Sequence, residues 1–288
     1  MRPSWKSIAN VCALAMALLL AAGCGSGVTA SGLGVTPNPN FVVWDGTTYN
    51  GKPDLTSLGM EPVISISQAL MWGDGNDMSN PPNPQKVRSI LQQVNSSNGT
   101  AFIDIENWPV QGDDPAVIAD SIQKYLVTIQ SFQQLAPAAK LGYYSVAPIR
   151  DYWNAISGPG SSQYVAWQQR NDVVAPIAQQ ADVLFPSIYT FYTDEAGWEK
   201  YAIAQISEAR RIAPGKPVYV FLWPRYEINV TAGGYMPADY WRMELETVRK
   251  YADGVVIWGG WQENWDDNAP WWLETKAFLN ELKIVATN

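Results

Sequence analysis

The chain has 288 residues, of which 47% are hydrophobic, 16% charged and 12% aromatic. That is enough apolar material for a sizeable core, and it excludes a disordered or low-complexity chain. With 19 basic groups against 27 acidic ones the net charge is -8, which argues against a nucleic-acid partner. Histidine is absent. Its absence excludes Ser-His-Asp and Cys-His hydrolysis, His-ligated zinc and every other scheme that needs imidazole. The two cysteines are Cys12 and Cys24, so the body of the chain has no disulfide framework.

Arg2 and Lys6 precede an apolar stretch from Ile8 to Ala22, broken only by Asn10 and ending in Leu20-Ala21-Ala22-Gly23-Cys24. This is a secretory signal pattern, too short and wrongly flanked for a spanning helix. The small residues before Cys24 resemble the bacterial lipoprotein processing box, with Ala21 where Leu is commoner. The expectation is cleavage before Cys24 and lipidation of that residue. The protein would then cross the inner membrane and stay anchored to a bacterial membrane or cell surface. Loss of residues 1–23 removes two basic groups and no acidic one, which leaves a net charge of -10. Gly25 to Asn40 is rich in Gly, Ser, Thr and Pro and shows no apolar periodicity. Residues 24–40 are therefore expected to be a flexible tether, and 41–288 the folded domain.

Short apolar runs of strand length recur through that domain. They are Phe41–Asp45, Pro62–Ser67, Ala101–Glu106, Lys140–Val146, Val183–Tyr189, Pro217–Trp223 and Gly254–Gly260. Helical patterns lie between several of them. Val87–Val94 carries Val87, Ile90, Leu91 and Val94 on one face, and Pro115–Leu135 begins with a proline suited to a first helical turn. Trp198–Ile212, Tyr240–Tyr251 and a terminal Trp272–Ile284 follow. Buried strands separated by helices imply a parallel sheet. Seven strands without a glycine-rich phosphate loop predict an α/β fold, a TIM-like distorted barrel, rather than a dinucleotide-binding sheet.

In such a barrel the site lies at the C-terminal ends of the strands. The residues there are Trp44 and Asp45, Ser65 and Ser67, Asp104 and Glu106, Tyr143 and Tyr144, Tyr189, Trp223 and Trp258. Sugar rings present flat C–H faces that stack on Trp and Tyr, and their hydroxyls bond to carboxylates and phenols. Core filling explains most single aromatic residues, but the joint pattern at strand ends points to a glycan groove. Asp104-Ile105-Glu106 is the sharpest feature. In a strand, residues two apart face one side, about 6.6 Å apart along the backbone. Two neighbouring carboxyls cannot both ionise cheaply, so one pKa should rise, which suits general acid chemistry. Trp261, Trp265, Trp271 and Trp272 could extend the groove, but packing at the barrel rim is favoured because Trp is a buried residue on average. The Asp74–Asn80 stretch lacks the spacing and terminal Glu of a calcium loop and reads as a polar connection.

Phe102-Ile103-Asp104-Ile105-Glu106-Asn107-Trp108 resembles the catalytic strand of the hyaluronidase family of glycoside hydrolases, where Asp-x-Glu is followed by Trp. Gly142-Tyr143-Tyr144, with Asp151-Tyr152-Trp153-Asn154 after it, is similar to a second segment of that family. Leu184-Phe185-Pro186-Ser187-Ile188-Tyr189 resembles a third. Pro217–Phe221 with Pro224-Arg225-Tyr226, and Gly254–Gly259, resemble the fourth and fifth, so the likeness runs from about Phe41 to Trp261.

The resemblance implies a distorted seven-stranded barrel, no metal or cofactor, and hydrolysis of N-acetylhexosaminide linkages with retention. In that scheme the 2-acetamido oxygen of the substrate attacks its own anomeric carbon. Carried over by position, Glu106 is the general acid and base, while Asp104 and Tyr189 hold the acetamido group. Trp258 and Tyr144 line the site, and Trp44, Trp223, Trp108 and Asp151 are further candidates for substrate contact. The partner implied is an oligo- or polysaccharide containing N-acetylhexosamine. The family's Arg after Asp-x-Glu-x-Trp is replaced by Pro109 and Val110, residues Ser145 to Arg150 are an insertion, and the family's disulfides are missing. Hyaluronan is a polyanion, ill matched to a domain of this charge unless Arg150, Arg170 and Arg225 make a local positive groove. A neutral N-acetylhexosamine polymer fits as well. The alternative from another class is a non-catalytic carbohydrate-binding barrel using the same groove.

Overall fold

The computed structural model describes residues 38–73, 77–97, 99–227 and 234–286. The expected signal segment, Cys24 and the tether as far as residue 37 lie outside the described residues, as do Asp74 to Asn76 of the polar connection. Strand β1 (Val42–Thr47) is followed by β2 (Glu61–Pro62) and β3 (Ile64–Ile66), with β2 and β3 separated only by Val63. Then come β4 (Thr100–Ile103), β5 (Lys140–Tyr143), β6 (Tyr219–Leu222) and β7 (Gly254–Gly259). Every strand pairing is parallel.

The strands form two ladders, β2-β1-β7-β6 and β3-β4-β5. The 183–189 segment stitches them together. Tyr144 bridges to Phe185 on one side, and Leu184 to Val218 and Ser187 to Phe221 on the other. Pro186 has no N–H to give, so this run makes isolated bridges rather than a continuous ladder. On the far side, β2 pairs with β1 while β3 pairs with β4. With β2 and β3 taken as one broken stave, seven staves run in a ring, the distorted α/β barrel that the sequence predicts.

Side chains alternate strictly across the staves. Phe102, Val183, Phe185, Tyr219, Phe221 and Val256 form a cluster of their own inside the barrel, with Trp44 and Val63 packed against it. The intervening residues Ala101, Ile103, Leu141, Leu184, Val220, Val255 and Ile257 belong to the larger core beneath the helices. Period-two alternation thus assigns each residue a face. Crowding sets two positions to glycine. A Cβ on Gly142 would lie 2.0 Å from the Val183 carbonyl oxygen, and one on Gly254 would lie 2.5 Å from the Val42 carbonyl oxygen.

The helices are α1 (Gln68–Trp72), α2 (Arg88–Ser96), α3 (Pro115–Leu135), α4 (Tyr152–Ile156), α5 (Ser162–Gln180), α6 (Glu195–Ile212), α7 (Ala238–Tyr251) and α8 (Pro270–Ala286). Asp114 caps α3 by accepting from the Ala116 N–H at 2.8 Å, ahead of Pro115 in the first turn. Sequence periodicity misses α5. Its buried stripe is Tyr164, Trp167, Asn171, Val174 and Ala178, a helical spacing interrupted by a polar residue, with Pro176 inside the helix. Asn171 belongs there because its Oδ1 accepts from the Ile149 N–H at 2.7 Å.

Candidate active site

The C-terminal ends of the staves open into a pocket of about 130 Å³ lined by Phe102, Asp104, Glu106, Tyr144, Tyr189, Phe221 and Trp258. Five of these are candidates from the sequence. The chain leaves β4 with its Asp104 N–H bonded to the Ile66 carbonyl at 3.0 Å, so the strand geometry persists beyond the last ladder residue. Ile105 turns outward into the main core at 1% exposure, while Asp104 and Glu106 face the mouth. Tyr125 of α3 anchors this run. Its hydroxyl donates to the carbonyls of Ile105 at 2.9 Å and Trp108 at 3.1 Å.

The two acids differ in setting. Glu106 is exposed, and its backbone N–H donates to Gln68 Oε1 at 3.4 Å. Asp104 is half-buried, and its Oδ1 is enclosed without a hydrogen-bond partner. Burial, reinforced by the neighbouring Glu106 charge, pushes the Asp104 carboxyl up to about 6. The expected rise within the pair therefore falls on the inner acid, because that one loses more water. Below about 6 Asp104 therefore holds a proton, and above it the carboxylate prevails.

Tyr189 and Tyr144 close the opposite wall. Their hydroxyls are hydrogen-bonded to each other, and Tyr144 also bonds Ser187. Burial raises both phenols, so both stay protonated and can donate. Trp258 stacks on Tyr189 with ring centroids 6.2 Å apart, and Trp223 meets Trp258 edge-on at 5.3 Å. Ser145, just after Tyr144, has a left-handed φ of 58°, a strained turn held by its N–H bond to the Phe185 carbonyl at 2.9 Å.

Other candidates lie elsewhere. Trp44 packs low in the barrel against Tyr219, with centroids 5.3 Å apart, because both stand near the beginnings of the strands. Trp108 is 4% exposed and its indole N–H donates to the Met78 carbonyl at 2.7 Å, so it supports the Glu106 loop from below. Asp151 caps α4, accepting from the Asn154 N–H at 3.1 Å, and pairs with Arg170 at 2.5 Å. These commitments leave it no free oxygen for a substrate. Asp45 is bound to Lys52 at 2.7 Å, and the Tyr143 hydroxyl donates outward to the Tyr125 carbonyl. Trp271 and Trp272 are buried in the rim packing with Trp265 and Tyr49, whereas Trp261 stands 70% exposed.

Sequence reading overlooks three contributors. Ser187 lies two residues before Tyr189 and, by the same alternation, faces inward. Gln68 opens α1 beside Glu106. Glu227 binds Arg150 through both oxygens, at 3.1 and 3.3 Å. The three arginines that could make a local positive groove are each engaged by a carboxylate. Arg150 is paired with Glu227, Arg170 with Asp151, and Arg225 with Glu263 at 2.6 Å.

A parallel α/β barrel with paired carboxyls and stacked aromatic rings at its C-terminal mouth is the class of protein that fold and site define together. No family model matches the chain. A hyaluronidase of Apis mellifera is 30% identical over 145 residues, a segment covering 46% of this chain and 35% of that protein. The match thus spans about a third of that relative's length. The structure of bee venom hyaluronidase in its monoclinic crystal form aligns with a TM-score of 0.57 at 18% identity, covering 86% of this chain and all of that one. The same enzyme in complex with a hyaluronic acid tetramer aligns at 0.57 and 16% identity, covering 84% and 96%. The chain is hyaluronidase-like, in sequence over part of its length and in fold over most of it.

Proposed function

We propose that this protein is a glycoside hydrolase that cleaves N-acetylhexosaminide linkages with assistance from the substrate's own acetamido group. The observation that carries this reading is the shared pocket of Asp104, Glu106, Tyr144, Tyr189 and Trp258. A binding groove needs aromatics and hydroxyls, but has no use for a carboxyl pair placed so that one member holds a proton near neutral pH.

The steps follow from the two settings. The acetamido group of the bound sugar enters the pocket, its N–H donating to Asp104 and its carbonyl accepting from the Tyr189 hydroxyl. Trp258 walls its methyl. Donation to Asp104 favours the carboxylate there, and its proton passes to Glu106, the exposed acid nearer the leaving oxygen. Glu106 then protonates that oxygen as the bond to the anomeric carbon breaks. The acetamido oxygen bonds to the same carbon, and the Asp104 charge steadies the positive charge that develops. Water finally opens the cyclic intermediate, with Glu106 taking its proton.

The decisive experiment is product release from a panel of N-acetylhexosamine polymers by wild type and Glu106→Gln. The variant should retain binding and cut at least ~100-fold more slowly, the lower range for lost general acid catalysis. Equal rates would remove Glu106 from the chemistry, and no release by wild type would leave the non-catalytic barrel. An otherwise matched substrate lacking the 2-acetamido group should resist cleavage. We also propose that the enzyme is tethered to a bacterial membrane through lipid on Cys24, on the strength of the sequence around that residue. Metabolic labelling with a fatty-acid analogue should mark the wild type and not Cys24→Ser.

A further inference from the structure

A second cavity of about 320 Å³ adjoins the acid pair, lined by Glu106, Trp108, Val110, Gln111, Tyr144 and Arg150 among others. Its size falls in the range of small-ligand sites. Glu106 and Tyr144 line both this cleft and the pocket that holds Asp104, Tyr189 and Trp258. A general acid stands beside the bond it protonates, so the two cavities flank the bond to be cut. If the acetamido sugar takes the inner pocket, the cleft takes the leaving side of the glycan.

The charge of that cleft decides what can leave through it. Arg150 is its one cation among the described residues. Both oxygens of Glu227 hold the guanidinium, at 3.1 and 3.3 Å, and the Phe191 ring lies 5.3 Å from it. A carboxylate on the substrate would have to displace Glu227 or approach a pair that is already neutral. Three further cations are paired in the same way, Lys52 with Asp45, Arg170 with Asp151 and Arg225 with Glu263. Asp104 and Glu106 themselves repel anions. Beyond a Debye length of about 8 Å no distant cation can offset this at physiological salt.

We propose that the natural substrate is an uncharged N-acetylhexosamine glycan whose leaving portion sits in the cleft between Glu106 and Arg150, and that Glu227 excludes polyanionic glycans by neutralising Arg150. This rests on the hydrolase reading above and adds the substrate class. The test pairs a neutral β-1,4-linked N-acetylglucosamine hexasaccharide with a hyaluronan hexasaccharide. Calorimetric titration of Glu106→Gln should give at least about tenfold tighter binding of the neutral sugar, unchanged by added salt. In Glu227→Gln, affinity for the hyaluronan fragment should rise about tenfold, the scale of a hydrogen-bonded charge made available, while the neutral sugar is held as before. Tighter hyaluronan binding that weakens with salt would overturn the proposal, as would a Glu227→Gln variant that gains nothing. Glu106-dependent cleavage of hyaluronan in preference to the neutral sugar would sink this inference and leave the hydrolase reading standing. Cleavage of neither sugar by wild type would sink the hydrolase reading, while the titrations would still decide the charge preference.

Discussion

Tyr189 and Thr190 are neighbours in the chain, yet they look out on two different worlds. Tyr189 faces the barrel mouth, across from Asp104. Thr190 faces the helix layer, where its hydroxyl bonds Glu244 of α7, and both are wholly buried. Each side therefore holds a carboxyl that burial has pushed above its ordinary range. Asp104 opens on a pocket, beside a second acid and a wall of aromatic rings, whereas Glu244 is sealed in and bonded to a single hydroxyl. A raised pKa alone does not mark a catalytic group. Access to a cavity and a second titrating partner separate the two cases.

Substitution at the mouth should therefore cost rate and return stability. Asp104→Asn removes the charge that supports the developing cation, and kcat should fall by about 10²–10³-fold, the range for one lost electrostatic contact. The same change should stabilise the fold. A carboxyl near 3.9 in the unfolded chain and about 6 in the folded one weakens the fold as pH climbs past the lower value, and the penalty is complete above the higher. After discounting for partial exposure, Asp104→Asn should gain about 1–2 kcal/mol at pH 7 in urea unfolding. The wild-type kcat/KM should also decline as pH rises above about 6, where free Asp104 loses the proton it passes on, and this limb should be missing from the variant. A rate untouched by the substitution would put Asp104 in the same class as Glu244.

On the sealed side stability should respond and rate should not. Glu244→Gln keeps an acceptor for Thr190 and abolishes titration. The folded wild type retains a proton there that the unfolded chain gives up above about 4.3. Wild-type stability should thus drain away with rising pH, and the variant's should drain less, so the gap in urea midpoints widens from pH 5 to pH 8. Turnover at pH 6 should be alike in the two proteins. A parallel pH response in both would mean that Glu244 is ionised in the fold.

Much of this was legible in the residues themselves. Apolar runs of strand length identified the staves, two-residue spacing put Asp104 and Glu106 on one side, and position at a strand end singled out Tyr189 and Trp258. What escaped depended on distant partners. Whether a strand-end aromatic belongs to the mouth or the floor turns on its height within the stave, and Trp44 sits against Tyr219, close to where the strands begin. Glu227 and Arg150 are 77 residues apart, and no local pattern announces that one silences the other. Helix α5 hid because its stripe contains Asn171, whose partner is the Ile149 backbone.

Asp151 offers the finest cut between the two sides. It sits near the mouth in sequence, one residue after Arg150, but its oxygens are engaged by the α4 backbone, by the Asn154 amide and by Arg170. Asp151→Ala should cost about 1 kcal/mol of stability, the usual loss for a helix cap, with most of the exposed ion pair contributing little. KM and kcat should stay within about twofold, because the cap supports a helix rather than a substrate. A large rise in KM with unchanged unfolding would return Asp151 to the glycan-binding surface, and the division between free and committed carboxyls would have to be redrawn at that residue.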